Sequence, residues 1–148
     1  SVDEAIESGA HGVFYPHGTG HHLGLDVHDL ENFGDRPSYP LGQSRPPQFG
    51  TRYLRLDLPL KAGWVVTVEP GFYVVPAILN DASLRDSLGS RVNWERARDW
   101  IGFGGIRTED DVVVTDTDPE VLSAGVAKTV AEIEALVGSG LSVEERLC

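Results

Sequence analysis

The chain has 148 residues, 12 basic against 23 acidic, and a formal net charge of −11. That length suits one domain rather than two, and the acidity excludes a nucleic-acid binder that works through a broad basic face. With 41% hydrophobic residues it can bury a real core, and its single cysteine, Cys148, excludes an internal disulfide framework and a thiolate metal site.

No apolar run approaches the ~20 residues that span a bilayer. The acidic opening Ser-Val-Asp-Glu lacks the basic-then-apolar pattern of a secretory signal. A cytoplasmic, reducing location without a membrane partner is therefore expected. The sequence contains no Met, which hints that it is a piece of something larger.

In chain order, residues 2–8 read as the end of a helix closed by Gly9 and Gly12. Residues 11–29 are too Gly-rich for a regular helix, and 32–50, with four of the nine Pro and several Gly, read as a long surface loop. Lys61-Ala62-Gly63 is a turn before a β-branched strand, Trp64–Val68, which Pro70-Gly71 ends. Phe72–Ile78 is expected to pair with that strand or to continue extended. Residues 80–100 carry Leu84, Leu88, Val92 and Ala97 near helical spacing, as one helix or two short ones. After the flexible Gly102–Gly105, Arg107–Thr115 reads as a second strand with a turn at Asp116–Pro119. Val126, Val130, Ile133 and Val137 predict a helix over 126–137, and 138–148 is expected to be a flexible tail.

The chemistry-bearing residues gather in three places. The first is His17-Gly-Thr-Gly-His21-His22-Leu-Gly-Leu-Asp-Val-His28-Asp29, where imidazoles capable of ligation or proton transfer sit in a Gly-rich setting. The second is Glu69, directly after an apolar strand, where a carboxylate is paired, ligated or at the sheet end. The third is Glu109, followed by Asp110 and Asp111; on its own this is a charged strand edge. One His and two Glu at strand ends make an oxygen-rich site suited to Mn, Co, Zn or Fe. Arg55 and Arg107 are candidate carboxylate clamps. Tyr73, Trp94 and Trp100 read as packing residues, and His11 as a surface residue.

Three stretches carry a family resemblance. Residues 17–29 resemble the HG-x-x-H-x-x-G-x-x-x-H-D signature of the pita-bread metallopeptidases. WVVTVEPGFY at 64–73 and GGIRTEDDVVVT at 104–115 resemble two strands of the same family, in the same order. The aminopeptidase P and prolidase branch fits better than the methionine aminopeptidases. The resemblance spans roughly residues 5–137 and implies an α+β fold: the C-terminal half of a pita-bread domain, with a curved, mainly antiparallel sheet and covering helices.

By that resemblance, His21, Glu69 and Glu109 match metal ligands, with Glu109 the bridging carboxylate. His17 and His28 match imidazoles that stabilise the tetrahedral intermediate and hold the Pro end of the substrate. Glu69 also matches the general acid/base, and Arg107 an Arg near the substrate. Arg55 lies where prolidases carry an Arg for a free C-terminal carboxylate, whereas His22 falls at a variable position and is left out of the site. The implied reaction is hydrolysis of Xaa-Pro bonds by a metal-activated water, with two divalent ions, Mn foremost, in an intact enzyme that forms homo-oligomers.

Two Asp ligands of the family have no match here. Asp26 and Asp29 lie inside the His motif, and Asp110 and Asp111 follow Glu109. The sequence therefore reads as a C-terminal portion of the catalytic domain, lacking its N-terminal half as a partner. At most one metal and little or no peptidase activity are expected of it alone. The alternatives are a catalytically inactive fragment or peptide-binding module of the same fold, and a small single-metal hydrolase.

Overall fold

A computed structural model describes residues 1–147. Cys148, the lone thiol and the last position of the expected tail, lies outside the described residues.

Helix α1, Val2–Ser8, is closed at its start by a reciprocal capping box between Ser1 and Glu4 and at its end by left-handed Gly9. A 3₁₀ turn, Ala10–Val13, leads into the His-rich stretch. His11, expected on the surface, is half-buried, and its Nδ1 meets the Ala5 carbonyl at 3.1 Å.

Two antiparallel ladders follow. In the first, β1 (Val65–Val68) pairs with β4 (Asp110–Val113), which pairs in turn with β5 (Glu120–Val121). In the second, β2 (Gly71–Tyr73) pairs with β3 (Gly105–Arg107). Phe72–Ile78 therefore does not return onto the strand before it. It pairs with Gly105–Arg107 as far as Tyr73 and then turns helical, because Pro76 starts the short helix α2, Pro76–Leu79.

The two ladders share one register. Val68 faces Asp110 and Gly71 faces Arg107, so the same count sets Glu69 opposite Glu109. The expected single strand over 107–115 is interrupted at this point. Pro70 has no N–H to give the ladder, although its carbonyl still accepts from Thr108 N at 3.1 Å. Two carboxylates directly across a ladder also repel each other.

The His motif joins the sheet beside β1. Thr67 N donates to His21 O at 2.9 Å, Glu69 N to Thr19 O at 2.7 Å and Leu23 N to Val65 O at 3.0 Å. This approach requires glycine at position 20, where a Cβ would sit 1.9 Å from the Thr67 carbonyl oxygen. Side chains alternate along these strands. His21, Thr67, Glu69, Glu109 and Arg107 consequently share one face, while His22, Val66 and Val112 take the other.

Residues 80–100 form two short helices, α3 (Ala82–Leu88), capped by Asp81, and α4 (Trp94–Arg98), capped by Asn93. They bury Leu79, Leu88, Val92 and Ala97 against Val13 and Val74, with Trp94 packed alongside. This is the core that braces β2.

The expected helix over 126–137 is shorter. Helix α5 runs Val130–Leu136, begun by a capping box between Thr129 and Glu132. Ahead of it, Lys128 Nζ is tied to Asp110 at 2.9 Å and to the Ser123 carbonyl at 2.9 Å, which holds the preceding residues in a turn. The predicted apolar stripe is exposed rather than packed, with Val126, Val130 and Val137 each 60% or more accessible. Within the expected tail, α6 spans Val143–Arg146. No helix among the described residues is long and apolar enough to cross a membrane.

Candidate metal centre

Ligating atoms of His21, Glu69 and Glu109 all lie within 4.8 Å of one another. His21 and Glu69 are buried, at 4% and 7% exposure, while Glu109 opens to solvent. A carboxylate as buried as Glu69 requires charge-bearing or hydrogen-bonding partners.

It has three. Thr67 Oγ1 donates to Glu69 Oε1 at 3.1 Å and itself accepts the His21 backbone N–H at 3.0 Å. Arg107 Nη1 stands 3.2 Å from Glu69 Oε2, and Arg107 Nε stands 3.2 Å from Glu109 Oε2. One guanidinium thus bridges the two opposed carboxylates. Partial burial works against the charged form of Arg107, but Tyr73, Glu109 and Glu69 outweigh it and raise its pKa above the ordinary arginine value.

The third contact is the informative one. His21 Nδ1 lies 2.9 Å from the His22 carbonyl, which can only accept, so Nδ1 carries a hydrogen. Nε2 then faces Glu69 Oε1, 3.2 Å away. A ring nitrogen and a carboxylate oxygen at that separation have a proton or a cation between them. The mixed nitrogen and carboxylate donors fit a divalent transition ion, and the Nδ1 hydrogen bond fixes the tautomer as metal-bound imidazoles require.

Around this group lies a cavity of about 310 Å³, lined by His17, Gly18, Gly20, His28, Arg55, Glu69 and Arg107. The His28 ring meets His21 edge-on at 4.5 Å. His17 Nδ1 is 2.7 Å from the Gly18 carbonyl, and Tyr73 Oη is 2.9 Å from His17 Nε2. The Tyr73 ring lies flat over the β2–β3 ladder because Gly71 and Gly105 leave room. A Cβ at Gly105 would fall 2.4 Å from Tyr73 Cδ1, and one at Gly71 would fall 2.6 Å from Tyr73 Cε2.

The candidate residues His17, His21, His28, Glu69, Glu109, Arg107 and Arg55 are therefore brought to one region. Arg55 is paired outside the ligand group, with Glu31. Asp110 takes the opposite face and bonds to Ser123 and Lys128.

Sequence reasoning missed Thr67 and Glu31, and it read Tyr73 as packing alone. The Thr-x-Glu spacing carried a signal, since residues two apart on a strand share a face. Tyr15 was missed as well. Its hydroxyl is shut off from solvent with no hydrogen-bond partner among the described residues, its ring meets His17 edge-on at 4.8 Å, and burial pushes its phenol above the ordinary value.

The sequence profile of metallopeptidase family M24 matches residues 1–116. The chain is 44% identical to the human Xaa-Pro dipeptidase over 91% of its own length and 26% of the relative's. Among solved structures it is similar to Pseudomonas aeruginosa aminopeptidase PepP, at TM-score 0.55 and 39% identity, covering 91% of this chain and 23% of that one. It is also similar to Escherichia coli aminopeptidase P with the inhibitor Pro-Leu, at TM-score 0.52 and 36% identity, with 91% and 23% coverage. The antiparallel ladders with flanking helices match the aminopeptidase P fold, the expected pita-bread architecture, over part of its length. The chain spans about a quarter of the length of these relatives.

Proposed function

Because this chain belongs to metallopeptidase family M24, we propose that it forms a C-terminal portion of the catalytic domain of a metal-dependent Xaa-Pro peptidase. The observation that carries this reading is the gathering of His21, Glu69 and Glu109 ligating atoms within 4.8 Å of one another, with Glu109 set opposite Glu69 by strand register. His21, Glu69 and Glu109 would hold a divalent ion, Mn2+ in this proposal. When bound, the ion supplies Lewis-acid polarisation of the scissile carbonyl and a more acidic water.

The chain's own residues do the rest. Glu69 accepts the proton of the attacking water and passes it to the leaving imino nitrogen of Pro, oriented meanwhile by Thr67 Oγ1. His17 exchanges its proton at Nε2, because Nδ1–H is committed to the Gly18 carbonyl and Tyr73 Oη stands ready at 2.9 Å. His28, at the cavity wall, contacts the Pro end of the substrate. Arg107 keeps the two carboxylates from repelling each other apart. Arg55 faces the carboxylate end of the substrate. The two Asp ligands of the family are not among these residues, so the chain by itself holds one ion at most.

The test is hydrolysis of Ala-Pro and Ala-Pro-Ala against Ala-Ala by the full-length protein with Mn2+, before and after chelation. Cleavage confined to the Pro peptides, lost on chelation and in Glu69→Gln, is the expected result. Metal-independent cleavage, or none of any Pro peptide, would refute the proposal and favour a peptide-binding module.

A further inference from the structure

Arg55 lines the cavity, yet its charge is already answered. Its Nη1 donates to both carboxylate oxygens of Glu31, and the two side chains are 38% and 25% exposed, so solvent screens the pair only in part. The other cation of the cavity wall, Arg107, is held by Glu69 and Glu109. Among the described residues, no arginine facing this cavity is without a carboxylate partner.

The backbone points the same way. Leu30, immediately before Glu31, has φ 65° and is the one non-glycine residue with positive φ among those described. Leucine takes this left-handed conformation against a steric penalty, and such strain persists only where the surroundings impose it. Leu30 is 41% exposed, so its own burial gives little compensation. The turn it makes starts the 3₁₀ segment Glu31–Phe33, which presents Glu31 to Arg55.

We infer that Glu31 is a specificity-determining residue: an internal carboxylate that occupies Arg55 and disfavours substrates ending in a free carboxylate at Pro, leaving longer or amidated peptides unaffected. This rests on the proposed reading of Arg55 as the group that faces the substrate's carboxylate end. A second carboxylate arriving there shares one positive charge with Glu31 and is repelled by it. Such built-in repulsion is an ordinary means of discriminating between ligands.

The experiment uses the full-length protein and Glu31→Gln, which keeps the side-chain shape and removes the charge. Calorimetry with N-acetylproline and N-acetylprolinamide on the metal-free protein reads binding, and KM for Ala-Pro and Ala-Pro-amide with Mn2+ reads catalysis. Removing one unit charge at this range is expected to tighten N-acetylproline and lower the KM of Ala-Pro by roughly five- to tenfold, with the amides shifting by less than about twofold. Glu31→Ser should do the same, which separates charge from shape. Unchanged or weaker carboxylate binding, or an equal effect on the amides, would overturn the inference. If neither protein cleaves Ala-Pro, the Xaa-Pro reading fails, while the N-acetylproline measurement still decides the role of Glu31.

Discussion

Replacing Thr67 by valine tests the hydrogen-bond relay that orients the centre. Thr67 is 3% exposed and sits between the His21 backbone N–H, 3.0 Å from its Oγ1, and Glu69 Oε1, 3.1 Å away. Valine keeps the shape but has no hydroxyl. The His21 N–H is then buried without a partner, at about 1–3 kcal/mol, and Glu69 loses a hydrogen bond to a charged group, worth about 1.5–3 kcal/mol. Burying the new methyl returns about 0.8 kcal/mol. With some relaxation, the expected net loss of stability is about 2–4 kcal/mol, read as a lower midpoint in urea unfolding of the metal-free chain. Because Thr67 orients a ligand, Mn2+ affinity should also fall, by about 10–100-fold. Thr67→Ser, which keeps the hydroxyl, should recover most of that affinity. A valine variant within about 0.5 kcal/mol of the parent, with unchanged Mn2+ binding, would refute the relay.

Two further outcomes follow from the geometry. Gly105→Ala drives a Cβ into the Tyr73 ring, 2.4 Å from Cδ1, so it should destabilise by about 1–3 kcal/mol and move the Tyr73 hydroxyl off His17. Thermal unfolding and the imidazole 15N shifts of His17 check both effects. Asp110 is held below the ordinary carboxylate value by hydrogen bonds from Ser123 and then Lys128. A depressed folded-state pKa contributes stability above the unfolded value, near 4, that is lost as pH falls through the folded one. The Tm gap between the parent and Asp110→Asn should therefore be widest above about pH 4–5 and close below it; a gap that persists at low pH would exclude this role for Asp110.

Much of this arrangement is written locally. The capped helix at 2–8, the β-branched run before Glu69 and the Pro-rich loop announce themselves through turn chemistry and alternation. The three motifs carry the ligand candidates, because ligating residue types at strand ends are visible one stretch at a time. What the sequence conceals depends on pairing between distant segments. Glu69 meets Glu109 only through a register that runs unbroken across two ladders. Tyr73 becomes more than packing only when Gly105, brought from a distant strand, lets its ring lie flat. The Glu31–Arg55 pair depends on a left-handed leucine, which no composition rule foretells. The overlong helix at 126–137 has a different cause. Periodicity marks an apolar stripe, but the Thr129 cap and the Lys128 tether decide where the helix begins.

The central claim is that His21, Glu69 and Glu109 form a metal centre, and Mn2+ titration of this chain followed by electron paramagnetic resonance tests it most directly. One bound ion per chain is expected, with affinity lost in both His21→Ala and Glu109→Ala. Binding that survives either substitution at the parent affinity, or two tightly held ions per chain, would contradict it.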